Sequence, residues 1–399
     1  MKKTLIAFLL LIGASATMAQ QATSKKQMKL LIAEQFRFAD QQYKFLAKNT
    51  PQNVMPKTYS LANRKVETSD TKWWCSGFFP GTLLYIYEYT GDTAILSEAK
   101  RRLAILEKEK HFTDNHDLGF MMYCSFGNAF RILKDPSYHR TIDTAAASLS
   151  TRYRPNAGVI QSWNASKKWQ GPVIIDNLMN LELLNWVSEN GGDKKYKEMA
   201  IKHADKTLLN HFRPDYSSYH VVDYDLNTGK VVKKVTAQGA ADESAWSRGQ
   251  GWGLYGYTMM YRFTKDKHYL EQAKHIASFI LNHPNLPKDK IPYWDFNAPT
   301  IPDPNTIRDA SSAAIIASAL LELGQYANHK ERAEYVATAE QMLTSLSSPN
   351  YRAKLGENGG FLLMHSTGSL PGKSEVDVPL TYADYYFLEA LLRFKKWYL

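Results

Sequence analysis

Two aspartates stand where an acid–base pair would be wanted. Asp117 follows His116 and Asp176 precedes Asn177, each at the expected start of a strongly apolar helix. Helix capping alone accounts for many aspartates in that position, because the carboxylate accepts from orphan amides of the first turn. Two carboxyls facing one pocket can do more, since their repulsion keeps one of them protonated and ready to act as a general acid. The helix dipole works in the opposite sense by favouring the anion, so the sequence leaves the protonation state open. Indoles crowd the same segments: Trp73, Trp74, Trp163, Trp246 and Trp252 all lie near expected helix starts. Core packing explains many tryptophans in helical proteins, but this clustering suits flat sugar rings stacked on indole faces. Gln238, Arg248 and His220 come from a hairpin region and the helix start that follows it. Arg248 offers a planar fork for a carboxylate, with a capping or surface ion pair as the alternative. His220 taken alone reads more readily as structural.

The elements that position these residues form a repeat. An apolar helical stretch ends in a turn containing Gly or Asp, and a second helix opens soon after. The turns are Tyr89-Thr90-Gly91-Asp92, Leu133-Lys134-Asp135-Pro136, Gly191-Gly192-Asp193 and Phe263-Thr264-Lys265-Asp266, with a weaker version at Tyr326-Ala327-Asn328-His329. Each Asp is an expected N-cap. Tyr138, Tyr196 and Tyr269 follow three of the turns at one offset, so the unit is a helical hairpin with variable insertions. One set of helices is expected near Lys25–Lys48, Thr93–Lys110, Tyr138–Arg152, Lys194–His211, Lys267–Asn282 and Lys330–Ser347. The alternate set is expected near Phe79–Tyr89, Asp117–Leu133, Asp176–Ser188, Gly249–Phe263, Asp309–Gln325 and Thr381–Phe394. The alternate set is apolar around the whole helix and so should be buried, whereas the first carries more Lys and Glu. Six inner and six outer helices in alternation predict an all-α (α/α)6 barrel, a single catalytic domain over residues 20–399. All inner helices of such a ring run the same way, so six polar, aromatic segments before their starts should meet at one mouth. Short β insertions are expected at Ser217–Asp225 and Val231–Val235, around Asn227-Thr228-Gly229. Another short strand is expected at Gly360–Met364, and the six prolines of residues 284–304 predict a long ordered loop over a barrel end.

Residues 1–19 read as a cleavable export signal, with Lys2 and Lys3, an apolar run from Leu5 to Ile12, and Thr17-Met18-Ala19. That run is too short to span a bilayer and no cysteine stands directly after the cleavage site, so a soluble, exported and periplasmic chain with no membrane anchor is expected. The net charge of 49 − 39 = +10 favours anionic partners, yet no basic run of the kind that binds nucleic acid occurs. Two cysteines, Cys75 and Cys124, make no disulfide framework and read as buried thiols. No cofactor or metal motif is present. Asp223, Asp225, Asn227 and Gly229 resemble a calcium loop only faintly, without its terminal glutamate.

Longer motifs carry a family likeness. They are Trp74-Cys75-Ser76-Gly77-Phe78-Phe79-Pro80-Gly81, His116-Asp117-Leu118-Gly119-Phe120, Asp176-Asn177-Leu178-Met179-Asn180, Asp242-Glu243-Ser244-Ala245-Trp246-Ser247-Arg248-Gly249-Gln250-Gly251-Trp252-Gly253, and Asp384-Tyr385-Tyr386-Phe387-Leu388-Glu389-Ala390. In this order and spacing they make the chain similar to glycoside hydrolase family 88, the unsaturated glucuronyl hydrolases. The resemblance implies an (α/α)6 barrel that releases 4,5-unsaturated glucuronic acid from the non-reducing end of lyase-made oligosaccharides. It implies hydration of the C4=C5 enol ether, with Asp176 as general acid/base and Asp117 as the second essential carboxylate. By the same resemblance His116, His220, Gln238 and Arg248 surround the uronate, and Trp74, Trp163 and Trp252 form an aromatic wall. The segment Ser366–Lys373 corresponds to a region that meets sulfated or longer aglycones. Three other readings remain: an unsaturated rhamnogalacturonyl hydrolase of a related family, a sugar epimerase with histidine acid/base pairs, and a non-catalytic glycan-binding protein. Oligomeric state is left open.

Overall fold

Small residues and buried caps set how closely the helices of this chain can pack. A computed structural model describes residues 25–399; the signal segment expected over residues 1–19 lies outside the described residues. Among the described residues twelve α-helices alternate between an outer and an inner layer. The outer helices are α1 (Lys2–Lys48, described from Lys25), α3 (Thr93–Leu106), α5 (Pro136–Ser150), α7 (Lys195–His211), α9 (Lys267–Asn282) and α11 (His329–Leu346). The inner ones are α2 (Phe78–Thr90), α4 (Asn128–Leu133), α6 (Asn177–Glu189), α8 (Ser247–Thr264), α10 (Ala310–Leu323) and α12 (Thr381–Tyr398). A π-helical segment, Gly119–Gly127, runs directly into α4 and completes that inner member. Each inner helix packs on the next, from α2 through the π segment, α6, α8, α10 and α12 back to α2, which closes the ring. This is the expected (α/α)6 barrel.

Local chemistry accounts for the layers. Asp92, Asp135 and Asp266 cap α3, α5 and α9 by accepting first-turn amides, and Asn328 with Glu331 forms a capping box on α11. Every residue of α10 from Ala310 to Leu323 is buried, as is α8 from Ser247 to Met260, which fits helices that are apolar or small all round. Glycines let the inner helices approach. A Cβ on Gly77 would lie 2.2 Å from the Met121 carbonyl oxygen, and one on Gly119 would lie 2.4 Å from Asn180 Cα. Both obstacles are backbone, so Gly77→Ala should cost about 2–3 kcal/mol by overpacking. The expected result is a lower thermal melting temperature; an unchanged one would show that α2 and the π segment can separate freely.

The β insertions serve the mouth. Strands β1 (Met55–Ser60) and β2 (Lys65–Ser69) form a hairpin, and β3 (Tyr153–Arg154) pairs with β4 (Val159–Ile160). The expected hairpin is β6 (Val221–Tyr224) with β7 (Val231–Val235), joined by β5 (Pro172–Ile174) into an antiparallel sheet of order β5-β6-β7. Residues 284–304 form the expected long loop, and it packs on the start of α8 through Ser247 N to Trp294 O and Phe296 N to Ala245 O. The strand expected at Gly360–Met364 does not form. Only an isolated bridge from Leu363 to Arg352 forms there, because the amides of Leu362 and Leu363 donate to the buried Asp384 carboxylate at 2.9 and 3.0 Å. Cys75 and Cys124 are both free thiols.

Candidate active site

Six inner-helix starts do converge. Trp74, just before α2, lies 5.4 Å from the Phe120 ring and 5.0 Å from Tyr382 on α12. Arg248 on α8 binds Asp309, the N-cap of α10, at 2.9 Å and lies over the Tyr382 ring at 5.3 Å. The His220 ring lies tilted against Trp246, the residue before α8, with centroids 4.7 Å apart, and faces Asp176 before α6. The floor beneath them is aromatic, with Phe120 5.1 Å from Trp252 and Trp252 5.5 Å from Tyr386.

The β5-β6-β7 sheet delivers three of the polar groups together. Ile174 pairs with Val221 and Val221 with Val235, so Asp176, His220 and Gln238 leave the same end of neighbouring strands. Ile175 N donates to His220 O at 3.1 Å, which fixes the backbone just before Asp176. His220 Nδ1 accepts from the amides of Ala237 and Gln238 at 3.0 and 3.2 Å. A neutral imidazole whose Nδ1 accepts must carry its proton on Nε2. That Nε2 points at Asp176 Oδ2 from 3.9 Å, too far for a hydrogen bond. Both atoms are buried and neither has a hydrogen-bond partner among the described residues. Buried polar atoms are rarely left so, and here a donor and an acceptor face each other across a gap. Asp176 does not cap its helix: its side chain accepts no first-turn amide.

Burial tunes the titrating groups. Desolvation raises Asp176 to about 6, against Arg248 and His116, which lower it, and the nearby Asp117, which raises it further. Asp117 is raised to about 7 by desolvation, opposed by Arg152. Desolvation lowers His116 to about 4 and His220 to about 3, so both imidazoles are neutral at neutral pH. His116 Nε2 lies 3.3 Å from Asp117 Oδ1, and Ser162 Oγ stands 3.4 Å from His116 Nδ1. The pair therefore has the property an acid–base site needs, with protonated carboxyls available near neutrality.

The remaining expected residues fall in three places. Gln238 is half-buried at the mouth, and its Oε1 accepts from Arg248 Nη2 at 2.7 Å. Arg248 is already engaged: Nη1 donates to Asp309 and to Thr367 O, Nη2 to Gln238 and Gly368 O, and only Nε lacks a partner among the described residues. Its fork thus anchors the 367–368 backbone and supplies positive charge beside Asp176. Trp74 and Trp163 are half-buried and present ring surface to the mouth, and Trp163 bridges Asn115 two residues before Asp117. Trp252 is fully buried and lines the floor from beneath, with its Nε1–H unpartnered among the described residues. Sequence reasoning passed over Asp309, Tyr382 and Arg152. Asp309 and Tyr382 stood at the expected starts of two inner helices, so the convergence of those starts contained them without giving them a role. A cavity of about 960 Å³ opens at the other end of the barrel, where Arg262 and Arg393 pair with Glu182, Glu322 and Glu389 near the inner-helix C-termini. No group of three or more candidate metal-binding side chains occurs among the described residues.

A helical toroid with two elevated carboxyls, neutral imidazoles and an aromatic mouth is the architecture of an acid–base enzyme acting on a sugar. The chain belongs to Glycosyl Hydrolase Family 88, whose model matches residues 47–387. It is 47% identical over 343 residues to an unsaturated glucuronyl hydrolase of Formosa agariphila, covering 86% of this chain and 84% of that one. An unsaturated chondroitin disaccharide hydrolase of Streptococcus pyogenes is 37% identical, with 82% of each chain covered. The crystal structure of an unsaturated glucuronyl hydrolase specific for heparin matches with a TM-score of 0.88 and 46% identity, over 92% of this chain and 97% of that one. That of an unsaturated glucuronyl hydrolase from Bacillus sp. GL1 matches with a TM-score of 0.84 and 32% identity, over 90% and 97%.

Proposed function

We propose that this barrel removes a 4,5-unsaturated glucuronic acid from the non-reducing end of lyase-made oligosaccharides, with Asp176 as general acid and then base. The observation that carries this reading is the buried gap between Asp176 Oδ2 and His220 Nε2. Protonated Asp176 gives its proton to C4 of the enol ether, and positive charge develops at C5 and the ring oxygen. The resulting Asp176 carboxylate takes a proton from water as that water adds to C5. C4 and C5 are neighbours, so one carboxyl serves both steps. The hemiketal then opens and releases the aglycone, and direct attack at C1 is not needed. Asp117 holds ring hydroxyls, and its charge, where it is ionised, keeps Asp176 from ionising early. His220 Nε2–H donates to the substrate, Gln238 completes the polar rim, and Trp74 and Trp163 hold the ring faces. His116 acts through Asp117, and Arg248 sets the charge at Asp176.

The names of the relatives favour an unsaturated glucuronate over an unsaturated rhamnogalacturonyl substrate. The test follows absorbance of the conjugated enol ether with unsaturated disaccharides from chondroitin, hyaluronan, heparin and pectin. Loss of absorbance with one of the first three supports the reading, and loss with pectin fragments alone overturns the glucuronyl assignment. Arg248→Met adds a sharper check. Arg248 is the strongest influence holding the Asp176 pKa down, so its removal should move the alkaline limb of kcat/KM up by about 1 pH unit. A limb that stays in place would assign it to another group. The same reading places the enzyme outside the cytoplasm, in the periplasm, with residues 1–19 removed on export. Amino-terminal sequencing of protein from fractionated cells tests this, and an intact Lys2-Lys3 segment on cytoplasmic protein would refute it.

A further inference from the structure

The loop that carries Trp163 is braced by a second indole. Trp169 is buried and meets Trp163 edge to face with ring centroids 5.6 Å apart. Both rings pack with Ile174, Val221 and Val235 on one face of the β5-β6-β7 sheet. Lys233, two residues before Val235 and therefore on the same strand face, puts Nζ 4.5 Å from the Trp169 centroid. Lys168 Nζ stands 4.9 Å from the same centroid.

This strip is built into the fold. Buried Asp223 accepts the amides of Gln170 and Gly171, and its Oδ2 lies 4.0 Å from Lys233 Nζ. Lys233 Nζ also donates to Lys168 O at 2.6 Å. Strand β7 thus clips the 163–171 loop in place, with Trp163 at its start. The exposed Lys168 ammonium has no carboxylate at ion-pair distance among the described residues, so its charge is free for a ligand. Trp163 is tied beside Asp117 through Asn115, and exposed Lys168 lies further along the same loop.

We propose that the 163–171 loop, braced by buried Trp169 and by Lys233, presents Lys168 as an outer contact for longer substrates, meeting a sugar beyond the first aglycone residue when it carries a carboxylate or sulfate. The inference rests on the uronate being cleaved beside Asp117 and Asp176. The Lys168 ammonium reads the sugar's charge, while buried Trp169 supports the loop that carries it. Lys233 is fixed by the clip, so Lys168 is the residue to change without loosening the loop.

The experiment compares kcat/KM for unsaturated chondroitin tetrasaccharides and disaccharides in wild type, Lys168→Gln and Lys168→Glu. Unsulfated tetrasaccharide offers only a carboxylate at the outer position, and the 6-sulfated one adds sulfate. The tetrasaccharide-to-disaccharide ratio should fall about threefold in Lys168→Gln and about tenfold in Lys168→Glu, through KM. The wild-type ratio should also fall with added salt, as a rim contact is screened. A fall in both arms identifies carboxylate recognition, and a fall in the sulfated arm alone identifies sulfate. Ratios within twofold of wild type in both arms overturn this inference alone. A wild type that clears neither substrate overturns the reading of the active site and this inference with it.

Discussion

Asp176→Asn is expected to lower kcat by about 10³-fold or more while the substrate still binds, the upper part of the range for loss of a positioned acid–base group. Asn matches Asp in size and can neither give C4 a proton nor take one from water. The groups that hold the substrate are untouched: Trp74 and Trp163 stay on their own segments, and His220 stays fixed by the Ala237 and Gln238 amides. The Asn oxygen can occupy the Oδ2 position and leave the gap to His220 unchanged. Loss should therefore fall on kcat, with KM within a few-fold of wild type. Single-turnover absorbance traces, with binding measured separately by quenching of tryptophan fluorescence, check both halves. Retained turnover in Asp176→Asn would remove the proton donor from this reading. Tight binding by wild type with no loss of the double bond would favour a glycan-binding protein instead.

The architecture was open to reading because its signals are local. Asp92, Asp135 and Asp266 cap the helices they precede, and helices made of small and apolar residues on every side have nowhere to go but inward. The same capping logic fails at Asp176, and that failure is informative: an aspartate at a helix start that bonds no amide is held for another purpose. Pairings across long sequence distances were harder to see. Strand β5 has three residues, and its register depends on β6 nearly fifty residues later. The Phe361-Leu362-Leu363 run has the composition of a strand, yet it makes only an isolated bridge to Arg352, and its amides go to the Asp384 carboxylate, which no periodicity announces. The inner member from Gly119 also differs, because apolar patterning does not separate the wider π turns of Gly119–Gly127 from an α-helix. At the site, residue types suggested carboxyls, imidazoles and indoles correctly as a set, but not their hydrogen bonds. Arg248 looked like a free fork and is instead tied to Asp309, Gln238 and the 367–368 carbonyls.

Asp117→Asn should give an enzyme that is slower, more acid-shifted and more stable at alkaline pH, three effects with one cause. Asp117 raises the Asp176 pKa, so its neutral replacement lets Asp176 ionise earlier. The alkaline limb of kcat/KM should move down by a few tenths of a pH unit, since Asp117 is the smallest of the influences on Asp176. Loss of the second carboxyl should also reduce kcat/KM by about 10²-fold, as expected for a group that orders substrate and tunes the acid. Stability goes the other way. Asp117 titrates near 3.8 in an unfolded chain and near 7 in the fold, so the fold binds its proton more tightly. A raised carboxyl contributes stability below its unfolded pKa and loses it as pH climbs through the folded value. Asn carries no such titration. The melting temperature of Asp117→Asn relative to wild type should therefore rise between pH 4 and pH 7 and level off above that. At pH 8 the variant should be the more stable protein by a few kcal/mol at most, because 15% of the Asp117 side chain remains exposed to water that screens the charge. Melting curves at pH 5 and pH 8 measure this directly. A difference that does not grow with pH would mean Asp117 is ionised at little cost and does not help to keep Asp176 protonated. A growing difference with an unmoved kinetic limb would mean the two carboxyls are uncoupled, and the alkaline limb would then belong to Asp176 and its arginine alone.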